Sequence, residues 1–189
     1  MTGNRSGALI ALGSNLPSSV GDSAQTLGHA ILSLCEKGLT PTAISRFFRT
    51  PFFPAGGGPD FVNAAVLITT LHSPSELLAE LHLIEQQFGR ARKQRWGART
   101  LDLDMLAMGP TVLPNAVTQR RWMDLPPEAQ MSQAPDRLIL PHPRLQDRAF
   151  VVVPLADIAP DWVHPVLRKS VTEMCNNLPG DDVATVQPL

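Results

Sequence analysis

Apolar positions along this chain switch between two periods. Ala8-Leu9-Ile10-Ala11-Leu12 is a continuous apolar run stopped by Gly13-Ser14-Asn15, the pattern of a buried strand entering a turn. From Val20 the spacing changes, and Val20, Ala24, Leu27, Ile31 and Leu34 fall on one face of a helix that Lys37-Gly38 ends. Residues 42–50 read as a second strand and residues 61–69, rich in Val, Ile and Ala, as a third. The segment 51–59 between them carries Gly56-Gly57-Gly58 flanked by prolines and predicts a mobile loop. Ser73-Pro74-Ser75-Glu76 then supplies a helix N-cap, a proline at the first helical position and a capping-box glutamate. Leu77, Leu81, Ile84 and Phe88 form that helix's apolar stripe, and Gly89 its exit. A basic run follows, then the apolar–acidic alternation Leu101-Asp102-Leu103-Asp104-Met105-Leu106 of another strand. The order β-α-β-β-α-β predicts an α+β fold with a ferredoxin-like core.

Beyond this core the pattern weakens. Residues 110–141 are rich in Pro, Gln and Ala, with a short helix expected only near 127–131. Residues 150–153, Phe-Val-Val-Val, predict a strand, residues 170–177 a short helix, and the last twelve residues, 178–189, a frayed tail. The expectation is one domain over residues 1–189, with an extended loop region at about 110–140 and a C-terminal extension of short strand and helix elements. Apolar residues make up 43% and charged residues 17%, which excludes a disordered chain. A net charge of −1 excludes the broadly basic coat of non-specific nucleic-acid binding, though not a local anion site. Cys35 and Cys175 are too few for a disulfide framework or a thiolate zinc site. With neither a secretion-signal pattern nor an apolar stretch of membrane-spanning length, the expected setting is cytoplasmic, with no membrane partner.

The sharpest local signal is electrostatic. Arg90, Arg92, Lys93, Arg95 and Arg99 place five of the sixteen basic side chains within ten positions, directly before Asp102 and Asp104. Residues two apart on a strand share a face, so the two carboxylates converge while Leu101, Leu103 and Met105 turn into the core. A hard divalent cation relieves the repulsion of two such carboxylates, and Mg²⁺ takes carboxylate and phosphate oxygens together. The arginines suit phosphate through forked, charge-assisted hydrogen bonds. The same run also suits a solvated surface, and charge and spacing alone do not choose between the two. Gly13-Ser14-Asn15 can bring backbone amides near an anion or simply turn the chain. Thr50 and Pro51 can line a pocket, Phe61 can stack on a flat ring, and Asn63 offers a donor and an acceptor to a heterocycle edge. His142, in the stiff turn Pro141-His142-Pro143, is a further candidate for touching substrate.

Five segments in order carry a resemblance: Ala11-Leu12-Gly13-Ser14-Asn15; Thr50-Pro51; Pro59-Asp60-Phe61-Val62-Asn63-Ala64; Gly89-Arg90-Ala91-Arg92 through Arg95-Trp96-Gly97-Ala98-Arg99-Thr100-Leu101-Asp102-Leu103-Asp104; and Leu140-Pro141-His142-Pro143 with Arg148-Ala149-Phe150. Together they resemble the 6-hydroxymethyl-7,8-dihydropterin pyrophosphokinase family. The resemblance implies transfer of the β,γ-pyrophosphoryl group of ATP to the 6-hydroxymethyl oxygen of the dihydropterin, with release of AMP. It implies that Asp102 and Asp104 are ligands of two Mg²⁺ ions and that Arg90 and Arg92 are a mobile, catalytic basic pair. Arg95, Trp96, Arg99, His142 and Arg148 fall on the ATP side. Phe61 and Phe150 stack on opposite faces of the pterin, Asn63 reads its edge, and the backbone around Thr50, Pro51 and Phe53 completes that pocket. The implied partners are these two small molecules, with no nucleic acid, and the chain is expected to be a monomer.

Three departures from the family pattern stand out. Ala98 replaces a proline, which loosens that segment. The glycine triplet replaces the usual approach to the aspartate–aromatic segment, and the stretch 110–140 is longer than in compact relatives. Arg120-Arg121-Trp122 within it reads either as a phosphate or partner contact or as a solvated pair beside a half-buried ring. A nucleic-acid module of this fold lacks support from charge and composition. An Asp-x-Asp glycosyltransferase leaves the arginine run unexplained. A non-catalytic or regulatory nucleotide- or pterin-binding domain is the remaining alternative, against which both aspartates are intact.

Overall fold

The computed structural model describes residues 5–52, 56–89 and 99–189. In chain order the first elements are β1 (Ser6–Ser14), α1 (Ser23–Glu36), β2 (Thr40–Ile44), β3 (Phe48–Thr50), β4 (Phe61–Thr70), α2 (Pro74–Gln87) and β5 (Asp102–Met108). They are followed by α3 (Ala116–Met123), α4 (Pro127–Ser132), a 3₁₀ turn (Leu145–Asp147), α5 (Ala149–Ile158), α6 (Val171–Asn176), α7 (Gly180–Ala184) and β6 (Gln187–Pro188). The sheet is antiparallel in order β5-β1-β4-β3-β6, with β2 also on β4. Counting β2 and β3 as one interrupted strand, this is the expected ferredoxin-like β-α-β-β-α-β core.

The interruption is a bulge in the strand expected over 42–50. Ile44 and Phe48 are four residues apart, but their β4 partners Val66 and Asn63 are three apart, so one extra residue is accommodated. Ser45 holds the bend: its N–H donates to the Ala65 carbonyl and its hydroxyl accepts from the Ala65 N–H, both at 2.9 Å.

Side-chain alternation divides the interior in two. Ala8, Ile10, Leu12, Ala64, Val66 and Leu103 face α1 and α2, meeting Leu27, Leu34, Leu77, Leu81 and Ile84. Leu9, Ala65 and Leu106 face the other way, against Val151, Val152 and Leu155 of α5 and Val171 and Met174 of α6. Local signals end the helices where expected. Asp22 and Gln25 form a reciprocal cap on α1, which starts at Ser23 rather than at Val20. Ser73 with Glu76 and Ser170 with Glu173 do the same for α2 and α6, each cap contributing about 1 kcal/mol.

Three expectations are corrected. Residues 150–153 are not a strand but the first half of α5, because burial between sheet and α6 overrides the β-branched preference of Val151-Val152-Val153. The tail is not frayed. β6 pairs with β3, the Leu189 N–H donates to the Phe47 carbonyl at 2.9 Å, and Val186 packs with Phe48 and Ala149. The stretch 110–140 is not one long loop: besides the expected short helix, now α4, it contains α3, capped by Asn115. Within α3, Arg120 and Arg121 are exposed and Trp122 is half-buried, as a solvated pair beside a ring would be. Among the described residues no helix is long and apolar enough to cross a membrane.

Candidate active site

Antiparallel pairing brings the end of β1 beside the beginnings of β4 and β5. Gly13 is the Cα partner of both Asp102 and Asn63, Ala11 pairs with Asp104, and Phe61 pairs with Thr50. Leu101, Leu103 and Met105 are buried on the α1–α2 side, so Asp102 and Asp104 emerge on the α5 side as the alternation predicts. Arg148 at the N-terminus of α5 and His142 in the turn before it complete the cluster.

Cations surround the two carboxylates. The Arg99 guanidinium hydrogen-bonds and ion-pairs with Asp102 three residues on, both side chains being about four-fifths buried (23% and 18% exposed). Burial pushes the Arg148 guanidinium below its ordinary value, while Asp104 first and then Asp102 pull it back up. His142 is held at about 3, chiefly by burial and then by Arg148, against the attraction of Asp102. Its ring is therefore neutral near pH 7. The His142 Nδ1 accepts the Arg144 N–H at 3.1 Å, so the ring proton resides on Nε2, as a donor. The turn itself is fastened to β5 by the His142 N–H, which donates to the Leu106 carbonyl at 2.7 Å. From α3, the buried Gln119 amide donates to the Pro141 carbonyl at 3.3 Å. Gln119 and Arg144 were not anticipated from sequence, because nothing local ties a helix in the 110–140 stretch to the turn at His142.

Across Gly13, the buried Asn63 donates an amide hydrogen to the Thr50 hydroxyl at 2.7 Å, which fixes the amide's orientation. The Phe61 ring stacks on Phe52, centroids 5.8 Å apart and planes inclined by 23°. Phe52 was not among the sequence candidates, and it is the ring that Phe61 touches. Phe150 is 41% exposed at the start of α5, with the Arg148 guanidinium 5.7 Å from its ring centre. Pro51 is exposed next to Thr50. Phe53, Arg90, Arg92, Lys93, Arg95, Trp96 and Ala98 lie outside the described residues.

Asn15 has a role that the strand–turn reading missed. Its Oδ1 accepts the Arg99 N–H at 2.7 Å, its own N–H donates to the Arg99 carbonyl at 3.0 Å, and its Nδ2 donates to the Pro59 carbonyl at 3.1 Å. The Gly13-Ser14-Asn15 turn thus clasps the segment leading into β5 and the loop leading into β4, with the Asn15 N–H directed at backbone rather than at an anion. An amide two residues beyond a strand glycine was the available signal.

The acidic pair fits a magnesium ion shared with phosphate. Among the described residues no group of three or more His, Cys, Asp or Glu is arranged to hold a metal alone. Two carboxylates on one strand face, with Arg99 and Arg148 beside them, could hold Mg²⁺ together with phosphate oxygens but not as an all-protein cage.

Comparison with known proteins agrees with this architecture. The family model for 7,8-dihydro-6-hydroxymethylpterin-pyrophosphokinase matches residues 9–160. The chain is 37% identical over 183 residues to the 2-amino-4-hydroxy-6-hydroxymethyldihydropteridine pyrophosphokinase of Synechocystis, covering 96% of this chain and 81% of that one. It is 39% identical over 158 residues to the Haemophilus influenzae protein of the same name, covering 84% of each. The wild-type HPPK-DHPS crystal structure from Plasmodium falciparum superposes with a TM-score of 0.64 at 15% identity, covering 92% of this chain but 44% of that longer one, a likeness of fold. On the family match and these identities, the chain belongs to the 7,8-dihydro-6-hydroxymethylpterin-pyrophosphokinase family.

Proposed function

We propose that Asp102 and Asp104 hold Mg²⁺ against the triphosphate of ATP while the chain carries out its family's reaction, pyrophosphoryl transfer to 6-hydroxymethyl-7,8-dihydropterin. In that reaction the hydroxymethyl oxygen bonds to the β-phosphorus and the link from that phosphorus to the α–β bridging oxygen breaks. AMP departs, and the hydroxyl proton passes to water. Two Mg²⁺ ions, when bound, neutralise triphosphate charge and favour in-line attack.

The chain's own residues do the rest. Arg148 and the Nε2–H of His142 donate to phosphate oxygens, and Arg99 adds a forked donor beside them. Arg90 and Arg92, as the catalytic basic pair, and Arg95 and Trp96, on the ATP side, are assigned by family resemblance. Asn63, oriented by Thr50, reads the heterocycle edge. Phe61 and Phe150 cover its faces, and the backbone at Thr50 and Pro51, with Phe53 assigned by family resemblance, completes the pocket. No side chain needs to be a strong base, because a primary hydroxyl can lose its proton late in phosphoryl transfer. We read the chain as one domain over residues 1–189, a monomer acting in the cytoplasm on small molecules alone.

The observation that carries this reading is the single row Asp102–Gly13–Asn63 at the sheet end, which joins a cation-ringed carboxylate to an oriented amide. Mass spectrometry of the products tests it, with ATP and 6-hydroxymethyl-7,8-dihydropterin, with and without Mg²⁺. AMP and the pterin diphosphate, appearing together and only with metal, are expected. ADP with a pterin monophosphate, or products without metal, would contradict the reading.

A further inference from the structure

Gly13 stands on β1 between Asn63 and Asp102, the Cα partner of each. Its backbone does not require glycine, since it is not among the positive-φ residues and sits in regular strand pairing. Glycine weakens a strand interior and often marks a place where a ligand approaches the backbone closely. The surrounding space points the same way. A methyl group at Gly13 would lie 3.2 Å from Asn63 Oδ1 and 4.0 Å from the Asp102 Cβ, so it would stand in the gap between the two side chains. Thr50 holds the Asn63 amide at 2.7 Å, and Arg99 holds Asp102, so neither wall yields freely. Adjacent strands are spaced ~4.8 Å apart, so Asn63 and Asp102 are separated by roughly two such spacings across a floor with no side chain.

Resting on the assignment of Asn63 to the pterin and Asp102 to the metal–phosphate side, we propose that Gly13 is a specificity-determining residue. It forms the floor over which the substrate's 6-hydroxymethyl arm runs from the heterocycle to the β-phosphorus. The missing side chain admits the arm and limits its bulk. Atoms on the two flanking strands set the ends of this channel, and Gly13 sets its depth.

Binding to Gly13→Ala and to the wild-type chain tests this, using calorimetry with Mg²⁺ and α,β-methylene-ATP present. The ligands are 6-hydroxymethyl-7,8-dihydropterin and 7,8-dihydropterin, which lacks the arm. Overpacking by one methyl should weaken the armed pterin by about tenfold to a hundredfold. The armless pterin, read by the same Asn63 amide, should lose several-fold less than the armed one, and binding of the nucleotide should be unchanged. Equal losses for the two pterins, or none for either, would overturn the proposal. So would loss of nucleotide binding, which would mark the methyl as a general disruption of the sheet end. If the wild-type chain binds nucleotide but neither pterin, the pterin assignment itself fails, and that result is distinguishable from all the others.

Discussion

The Arg99 guanidinium closes on the Asp102 carboxylate, three residues further along the same segment. This contact keeps one of two neighbouring carboxylates compensated while Arg148 and His142 stand close by. Among the described residues Arg99 and Arg148 offset Asp102 and Asp104, and if a cation arrives with nucleotide as proposed, it competes with Arg99 for Asp102.

If Asp102 and Asp104 hold the metal, Asp102→Ala and Asp104→Ala each lower turnover by at least ~10²-fold. The assay is steady-state AMP release at saturating Mg²⁺. Wild-type turnover in both variants would remove the metal assignment.

If Asn63 reads the pterin edge, the Thr50 hydroxyl supports that recognition by orienting the amide. Thr50→Val removes the acceptor at 2.7 Å and frees the amide to rotate, which raises the pterin KM about tenfold. The KM for ATP stays unchanged, and Thr50→Ser restores the wild-type value. Parallel changes in both KM values would argue for general loosening of β3 and β4.

The clasp at Asn15 is a stability feature that ties the segment before β5 to the loop before β4. Asn15→Ala leaves the Arg99 N–H and the Pro59 carbonyl without this partner, at a cost of roughly 2 kcal/mol by urea unfolding. Asn15→Asp keeps the acceptor for Arg99 and recovers part of that loss. Equal stability of all three chains would show that the clasp is idle.

Two histidines set an acid limit. Burial holds His142 at about 3 and His164 at about 4, against 6.5 in an open chain. His164 is fully buried, and its Nδ1 accepts the Val166 and Leu167 N–H groups. The unfolded chain takes up protons below pH 6.5 that these folded rings refuse. Stability is therefore full above that value. It falls by up to about 1.4 kcal/mol per pH unit for each ring as the solution is acidified toward the folded values. Urea midpoints from pH 7.5 down to about 5 measure the slope, and His164→Gln should flatten it. A pH-independent midpoint in the wild-type chain would overturn the prediction.

What could be read from residues alone was whatever local chemistry determines. Ser73, Pro74 and Glu76 announce α2 because cap and box are short-range devices, and Asp102 and Asp104 share a face because strand geometry leaves no choice. Val151-Val152-Val153 misled because β-branched propensity yields to burial on every side. Phe52 against Phe61, Gln119 beneath Pro141 and β6 along β3 are contacts between separated segments, and no periodicity encodes them. Asn15 lay between these cases. Its motif was visible, but its three hydrogen bonds reach Arg99 and Pro59 on two other segments.

The sheet acts as a partition with different tenants on its two sides. Leu103 and Met105 belong to the α1–α2 compartment, while Asp102 and Asp104, on the same strand, belong to the other. An adaptive change in heat tolerance can therefore be made by repacking Leu27, Leu34, Leu77 and Leu81 without entering the reaction chamber. The α5 compartment has no such freedom if Arg148 and Phe150, its leading residues, line that chamber as proposed. Sequence drift among thermally adapted versions of this fold should accordingly collect behind β1, β4 and β5 and spare the side that α5 covers.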